Sequence, residues 1–145
     1  MPAEQVRLLL VEDNAADVFL MEAALEFATV PVHLTVARDG VEALAQLEAA
    51  RAAGRLPDLV LLDLNMPRLN GFEVLAALRA NPALASLVVV VFTTSSAETD
   101  VRQAYALQAN SYVSKPATLD EFLHLVRLLE AYWFGAASLP STYSA

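Results

Sequence analysis

Four polar stretches of the sequence each follow an apolar run, and together they contain carboxylates, hydroxyls and an ammonium group. Glu12-Asp13 follows VRLLLV, Asp63 follows LVLL, Thr93 follows LVVVVF, and Lys115-Pro116 follows a short run that ends near residue 114. Carboxylates that share a small cleft repel one another and raise each other's pKa, and a hard divalent cation relieves this repulsion. Mg²⁺ prefers oxygen ligands and usually keeps several waters, so one oxygen each from Asp13 and Asp63 would suit it.

Lys115 is the only lysine of the chain, and its ammonium group is a compact charge suited to holding a carboxylate or phosphoryl oxygen. A hydroxyl from Thr93 would donate to the same oxygen. An aspartate beside a cation, an ammonium group and a hydroxyl has the chemistry of a phosphoryl acceptor. The positive groups offset charge on the transferring group while the carboxylate oxygen attacks in line. These residues predict that Asp63 is the attacking nucleophile.

The elements that must position these groups follow from the alternation of short apolar runs with longer segments of helical period. Strands are predicted at 6–11, 32–37, 59–62, 87–92 and 111–113, and helices at 15–27, 40–53, 72–80, 97–107 and 119–134. Five strand–helix units in a row predict a doubly wound α/β fold, with a parallel sheet between two layers of helices. Ligands of such folds bind beyond the carboxyl ends of the strands, where all four polar stretches lie.

Length and composition narrow the class of protein. A chain of 145 residues, 57% hydrophobic, suits one domain with ample material for a core. The net charge of −8 argues against direct nucleic-acid binding. No apolar run approaches the ~20 residues of a membrane span, the N-terminus lacks a secretory pattern, and there is no cysteine. We expect a cytoplasmic protein with one domain at 1–135 and a tail at 136–145, the tail being either flexible or part of a dimer contact.

The sequence from residue 6 to residue 134 resembles the receiver domain of two-component response regulators. The resemblance rests on the acidic pair Glu12-Asp13, on the D-x-x-M-P-x-x-x-G pattern from Asp63 to Gly71, on Thr93 thirty residues after Asp63, and on Tyr112 three residues before Lys115-Pro116. It implies a flavodoxin-like (βα)5 fold with strand order 2-1-3-4-5. It also implies a signalling protein rather than an enzyme, which takes a phosphoryl group from a histidine kinase in a Mg²⁺-dependent reaction. Mn²⁺ or Ca²⁺ would substitute for Mg²⁺ in a crystal.

The resemblance also implies a role for each matching residue. Asp63 would be phosphorylated and would share the Mg²⁺ with Asp13, with Glu12 acting through water, and with the backbone carbonyl of Asn65. The phosphoryl group would be contacted by Thr93 and Lys115, and Tyr112 would turn inward behind it. Thr94 would lie beside the phosphoryl group, where many receivers have a smaller residue, and the bond between Lys115 and Pro116 would be cis.

A narrower resemblance points to one class of partner kinase. The stretches VEDNAADVFLMEAAL, LLDLNMPRLNGFEVL, FTTSS and YALQANSY, with a Tyr-Trp-Phe end to the last helix, are similar to stand-alone regulators that partner bacterial phytochrome histidine kinases. Those regulators have no output domain, and a chain of this length leaves no room for one. The expected partner is therefore a bacteriophytochrome kinase.

The last predicted helix has more apolar surface than a monomer needs. Phe122, Val126, Leu129 and Trp133 share one face, the natural core stripe, whereas Leu125, Leu128 and Tyr132 form a second stripe about a quarter turn away. A second stripe favours an interface. We predict a homodimer through helix 4, strand 5 and helix 5, with contributions from Leu125, Leu128, Tyr132 and Trp133. The alternative is a monomer in which residues 135–145 fold back over the second stripe.

Two other classes of function are open. The first is a docking module that has the fold but is not phosphorylated, although such proteins typically lack one of the acids or the lysine that are present here. The second is a phosphohydrolase with an aspartate nucleophile. Those enzymes usually need a second aspartate two residues later, where this chain has Asn65, and no inserted segment is available to cap a substrate.

Overall fold

The computed structural model describes residues 5–140, in which five strands alternate with five α-helices. In chain order the elements are β1 Val6–Val11, α1 Ala15–Leu25, β2 Val32–Ala37, α2 Gly40–Ala52, β3 Leu59–Leu62, α3 Gly71–Ala80, β4 Val89–Thr93, α4 Glu98–Ala106, β5 Ser111–Ser114 and α5 Leu119–Ala131. All neighbouring strands are parallel, and their order is β2-β1-β3-β4-β5. The predicted fold class and strand order are therefore confirmed.

The sheet separates two layers of core because alternate residues of each strand point to opposite faces. Val11 and Leu62 face the layer formed with α2, α3 and α4. Leu10 and Leu61 face the layer formed with α1 and α5, which is filled mainly by aromatic and large aliphatic side chains such as Phe122. Every residue of β3 and β4 is buried, as expected for the central strands of a sheet covered on both sides.

Four of the five α-helices begin where the sequence supplies a side-chain cap, the exception being α4, which follows Ala97. The Asn14 side chain accepts from the backbone N–H groups of residues 16 and 17 at the start of α1, and Asp39 and Thr118 cap α2 and α5 in the same way. Asn70 and Glu73 form a reciprocal capping box at the start of α3. These caps place the helix starts at the carboxyl-terminal edge of the sheet, next to the strand ends.

The sequence predicts a regular helix as far as residue 134, but α5 ends earlier, at Ala131. The chain changes to a π-helical segment at Tyr132–Ala136 and then returns towards the sheet. There Leu139 is only 5% exposed and lies in the core layer formed with α1 and α5. Within the predicted tail Leu139 is thus docked in the core, whereas residues 136, 138 and 140 are exposed, and residues 141–145 lie outside the described part of the chain. No helix among residues 5–140 has both the length and the apolar character needed to cross a membrane.

Candidate functional site

The register of the sheet brings the predicted site residues together. Val11 of β1 pairs with Leu62 of β3, so the residues that directly follow them, Glu12 and Asp63, leave adjacent strands at the same level. The Asp63 N–H donates to the Val11 carbonyl at 3.1 Å. At the same edge of the sheet, where β4 and β5 end, the N–H of Lys115 donates to the Thr93 carbonyl at 2.8 Å.

Three carboxylates meet at this edge. One oxygen each from Glu12, Asp13 and Asp63 lies within 4.8 Å of the others. Glu12 and Asp63 are buried, at 0% and 4% exposure, while Asp13 faces solvent. Burial, aided by the nearby Asp63 charge, raises the pKa of Glu12 to about 7 against the lowering effect of Lys115. A cluster of hard oxygen donors with one open side fits Mg²⁺, which binds carboxylates and keeps several waters.

Lys115 lies in the middle of the acids. Its Nζ atom is 2.7 Å from Glu12 Oε1, 3.0 Å from Asp17 Oδ2 and 3.3 Å from Asp63 Oδ2, and its side chain is 6% exposed. Burial lowers the pKa of this ammonium group, but the hydrogen bonds to Glu12 and Asp17 and the charge of Asp63 outweigh it, so the net shift is upward. The ammonium group therefore stays protonated beside the three acids.

Asp17 belongs to this group of acids although the sequence analysis did not assign it a role. It lies in the first turn of α1, four residues after Asp13. Asp13 precedes the cap residue Asn14 and lies outside the helix, so no helical spacing linked Asp17 to the other acids. Nothing in the sequence indicated that Lys115 would reach it.

Two hydrogen bonds connect Thr93, at the end of β4, to Tyr112 through the main chain of Ser95. Thr93 is fully buried at the end of β4, and its Oγ1 accepts from the Ser95 N–H at 3.4 Å. The Ser95 carbonyl in turn accepts from the Tyr112 hydroxyl at 2.8 Å. Tyr112 is half-buried and packs against the core layer of α2, α3 and α4, whereas Thr94 is exposed. A change at Thr93 would thus reach Tyr112 through one loop residue.

The loop between β3 and α3 is closed tightly around Asp63. The Asn65 N–H donates to Asp63 Oδ1 at 3.4 Å, and the Gly71 N–H donates to the Leu64 carbonyl at 3.0 Å. A Cβ atom on Gly71 would overlap the Asp63 carbonyl oxygen, so this close approach requires glycine. The glycine of the D-x-x-M-P-x-x-x-G pattern therefore contacts the main chain of the predicted acceptor.

An ion pair ties the same loop to the start of α2. Arg68 has a left-handed backbone with φ of 67°, and its guanidinium group contacts the Asp39 carboxylate. Asp39 is also the side-chain cap of α2, where it accepts from the Glu42 N–H at 2.8 Å. The sequence analysis predicted neither residue, because each is an ordinary charged loop residue when read alone.

The peptide bond between Lys115 and Pro116 is trans, since no cis bond occurs among residues 5–140. The prediction of a cis bond is therefore wrong. An X–Pro bond prefers the trans form by about 0.5–1 kcal/mol, so the proline alone did not determine the isomer.

The predicted dimer surface is smaller than the sequence indicated. Leu125 is 7% exposed and packs in the core layer with α1, so it does not belong to an exposed stripe. Leu128 and Tyr132 are 55% and 57% exposed, and residues 135–140 leave them uncovered. Trp133 is half-buried and lies edge to face with Tyr132, with ring centroids 5.0 Å apart.

Known proteins are similar to this chain in both sequence and fold. Residues 8–127 match the family model of the response regulator receiver domain. The chain is 39% identical over 136 residues to the response regulator Rcp1 of Synechocystis sp., covering 92% of each protein. The crystal structure of the phosphorylated cyanobacterial phytochrome response regulator RcpA is 41% identical, with a TM-score of 0.87, and 94% of this chain and 99% of that one are covered. The Mn²⁺-bound form of Rcp1 is 39% identical with a TM-score of 0.82, and the coverage is 92% and 98%.

Proposed function

The chain belongs to the response regulator receiver family, and on that premise we propose that Asp63 is the residue that accepts the phosphoryl group. Receiver domains bind Mg²⁺ through acidic residues, and the cluster of Glu12, Asp13 and Asp63 suits it. In the proposal Asp13, Asp63 and the carbonyl of Asn65 hold the metal, and Glu12 acts through water. The bound metal would offset negative charge on the transferring group.

The observation that carries the proposal is the position of the Asp63 carboxylate. It lies within 4.8 Å of two other acids and 3.3 Å from the Lys115 ammonium group. In the transfer, an Asp63 oxygen forms a bond to phosphorus as the phosphorus–nitrogen bond of a phosphohistidine breaks. Lys115 stabilises the charge that the phosphoryl oxygens bring, and the carboxylate needs no proton removed before it attacks.

The signal would leave the site through the contact between Thr93, Ser95 and Tyr112. A phosphoryl group on Asp63 attracts the Thr93 hydroxyl, whose oxygen now accepts from the Ser95 N–H. Movement of that loop shifts the Ser95 carbonyl, which accepts from the Tyr112 hydroxyl. The output is then a change in the surface of α4, β5 and α5, with transfer and hydrolysis of the phosphoryl group as the only chemistry.

Incubation with Mg²⁺ and acetyl phosphate, followed by intact mass measurement, tests the acceptor. The wild-type chain should gain one phosphoryl group and Asp63→Asn should gain none. Asp120→Asn, which changes an exposed acid in the first turn of α5, should behave like the wild type. A wild type that gains nothing, or an Asp63→Asn variant that is still phosphorylated, would favour a docking module. Turnover of a generic phosphomonoester would instead favour a phosphohydrolase.

We further propose that the partner kinase is a phytochrome. The support is the 41% identity to RcpA, whose structure is that of a phytochrome response regulator. Transfer from a panel of phosphorylated histidine kinases would test it. The fastest transfer should come from a bacteriophytochrome, and faster transfer from kinases of other sensory classes would contradict the proposal.

We also propose that two copies pair through the face formed by α4, β5 and α5. The support is the pair of aromatic and aliphatic side chains on α5 and its end, Leu128 and Tyr132, together with Tyr105 on α4, which is 49% exposed. Sedimentation should give a dimer mass for the full chain and a monomer mass for the Leu128→Glu, Tyr132→Glu variant. Phe27→Glu, which changes a still more exposed aromatic residue beyond α1, should remain a dimer. A monomeric wild type would refute the pairing.

A further inference from the structure

Among the ion pairs that Lys115 makes within residues 5–140, the pair with Asp17 is the one that a metal at the acidic cluster would not contest. The ammonium group has three N–H donors, and three carboxylates lie around it, those of Glu12, Asp17 and Asp63. Two of these acids, Glu12 and Asp63, are also members of the cluster whose oxygens converge for a cation. Asp17 is not a member, so its carboxylate remains with the lysine when the others turn to a metal.

The charges make this third contact necessary. A divalent cation at the cluster repels the ammonium group and competes with it for the same two acids. Burial of the lysine head, with its side chain 6% exposed, prevents water from replacing the lost partners freely. Without Asp17, the Lys115 ammonium group would therefore move away from Asp63 when the metal binds.

We propose that Asp17 is a positioning residue, which holds the Lys115 ammonium group beside Asp63 while a divalent cation occupies the acidic cluster. The inference rests on the proposed function, in which Lys115 binds the phosphoryl oxygens. It differs from the ordinary role of an acid in the first turn of a helix, which is to stabilise the helix start. That ordinary role predicts a loss of stability that is independent of Lys115 and of metal.

The single lysine of the chain permits a direct test by NMR. The full chain labelled with ¹³C,¹⁵N-lysine has one lysine side-chain spin system, which reports the surroundings of Lys115. On addition of Mg²⁺ alone, the wild-type signal should keep the shifts of an ordered side chain. The Asp17→Asn signal should resemble the wild type without metal and move to the shifts of a free, mobile lysine with Mg²⁺. Glu22→Gln, an exposed acid further along α1, should respond like the wild type. The same metal response in Asp17→Asn and wild type would overturn the inference.

Phosphorylation rates provide a second readout. With saturating Mg²⁺ and acetyl phosphate, Asp17→Asn should react about tenfold more slowly, as expected for the loss of one charge-assisted hydrogen bond. Lys115→Met should be slower still, and the double variant should be no slower than Lys115→Met, because Asp17 acts through the lysine. Losses that multiply in the double variant would contradict this. A wild type that is not phosphorylated would refute the proposed function itself, whereas equal rates for wild type and Asp17→Asn would refute only the role of Asp17.

Discussion

Replacement of Gly71 by alanine tests how closely the acceptor depends on the loop that follows it. The new Cβ atom would overlap the Asp63 carbonyl oxygen and lie 2.7 Å from the Cα of Leu64. Carbon atoms pack at about 3.5–4.0 Å, so the start of α3 must move by roughly 1 Å relative to the end of β3. Overpacking of this kind costs about 1–3 kcal/mol of the free energy of unfolding.

The same displacement should reach the chemistry. Asp63 is the residue whose main chain would be pushed, and a misplacement of roughly 1 Å can reduce a rate by about 100-fold. We therefore expect Gly71→Ala to be destabilised in urea unfolding and to accept a phosphoryl group from acetyl phosphate at least tenfold more slowly.

Gly54→Ala is the matched control. Gly54 has a left-handed backbone with φ of 68° and no atom within 4 Å of its would-be Cβ. An alanine there should cost about 1–2 kcal/mol of stability through backbone strain alone. Because α2 begins at the edge of the sheet where the acids lie, Gly54, just beyond its end, is at the opposite edge, and the phosphorylation rate of Gly54→Ala should equal that of the wild type. A Gly71→Ala variant with normal stability and rate, or a Gly54→Ala variant that is equally slow, would refute the reasoning.

Three further predictions concern the residues that stabilise the frame of the site. All five N–H groups of Arg79 donate to oxygens of the two loops that flank β4 and β5, so Arg79→Ala should lower the free energy of unfolding by about 2–4 kcal/mol in urea titrations, and Arg79→Lys should recover only part of it. The hydrogen bond from the Glu42 amide and the Arg68 guanidinium group hold the pKa of Asp39 below its usual value. Asp39→Asn keeps the helix cap but loses the ion pair, so thermal unfolding should show it to be less stable than the wild type above the ordinary aspartate pKa of about 3.9. The difference in stability should vanish as pH falls through the lowered pKa that Asp39 has in the folded protein. Leu139→Ala should cost about 2–4 kcal/mol in urea, because this side chain is 5% exposed in the core, and an unchanged midpoint would show that the segment is not docked.

The sheet was predictable because strand composition and strand order follow simple rules. The bounds of β1, β2 and β3 agree with the predicted strands at 6–11, 32–37 and 59–62. The fourth strand begins at Val89 rather than at residue 87, since Leu87 and Val88 are buried without belonging to the strand. Burial and strand pairing select the same apolar residues, so composition alone did not separate them.

The side chains that depend on contacts between distant elements were less predictable. Leu125 was assigned to an exposed stripe, but α5 packs against α1 as well as against the sheet and therefore buries a wider face. Asp17 was missed because its partner, Lys115, is nearly a hundred residues away and its side-chain direction is set by the surrounding charges. The ion pair between Arg68 and Asp39 was missed for the same reason.

The most direct test of the central claim is to locate the phosphoryl group itself. After incubation of the full chain with Mg²⁺ and acetyl phosphate, tryptic cleavage at Arg55 and Arg68 yields a peptide of residues 56–68 that contains only two acids, Asp58 and Asp63. Tandem mass spectrometry of the trapped acyl phosphate should place it on Asp63, and omission of the metal should abolish it. A phosphoryl group on Asp58, on an acid outside this peptide, or at the same level without divalent cation would contradict the account.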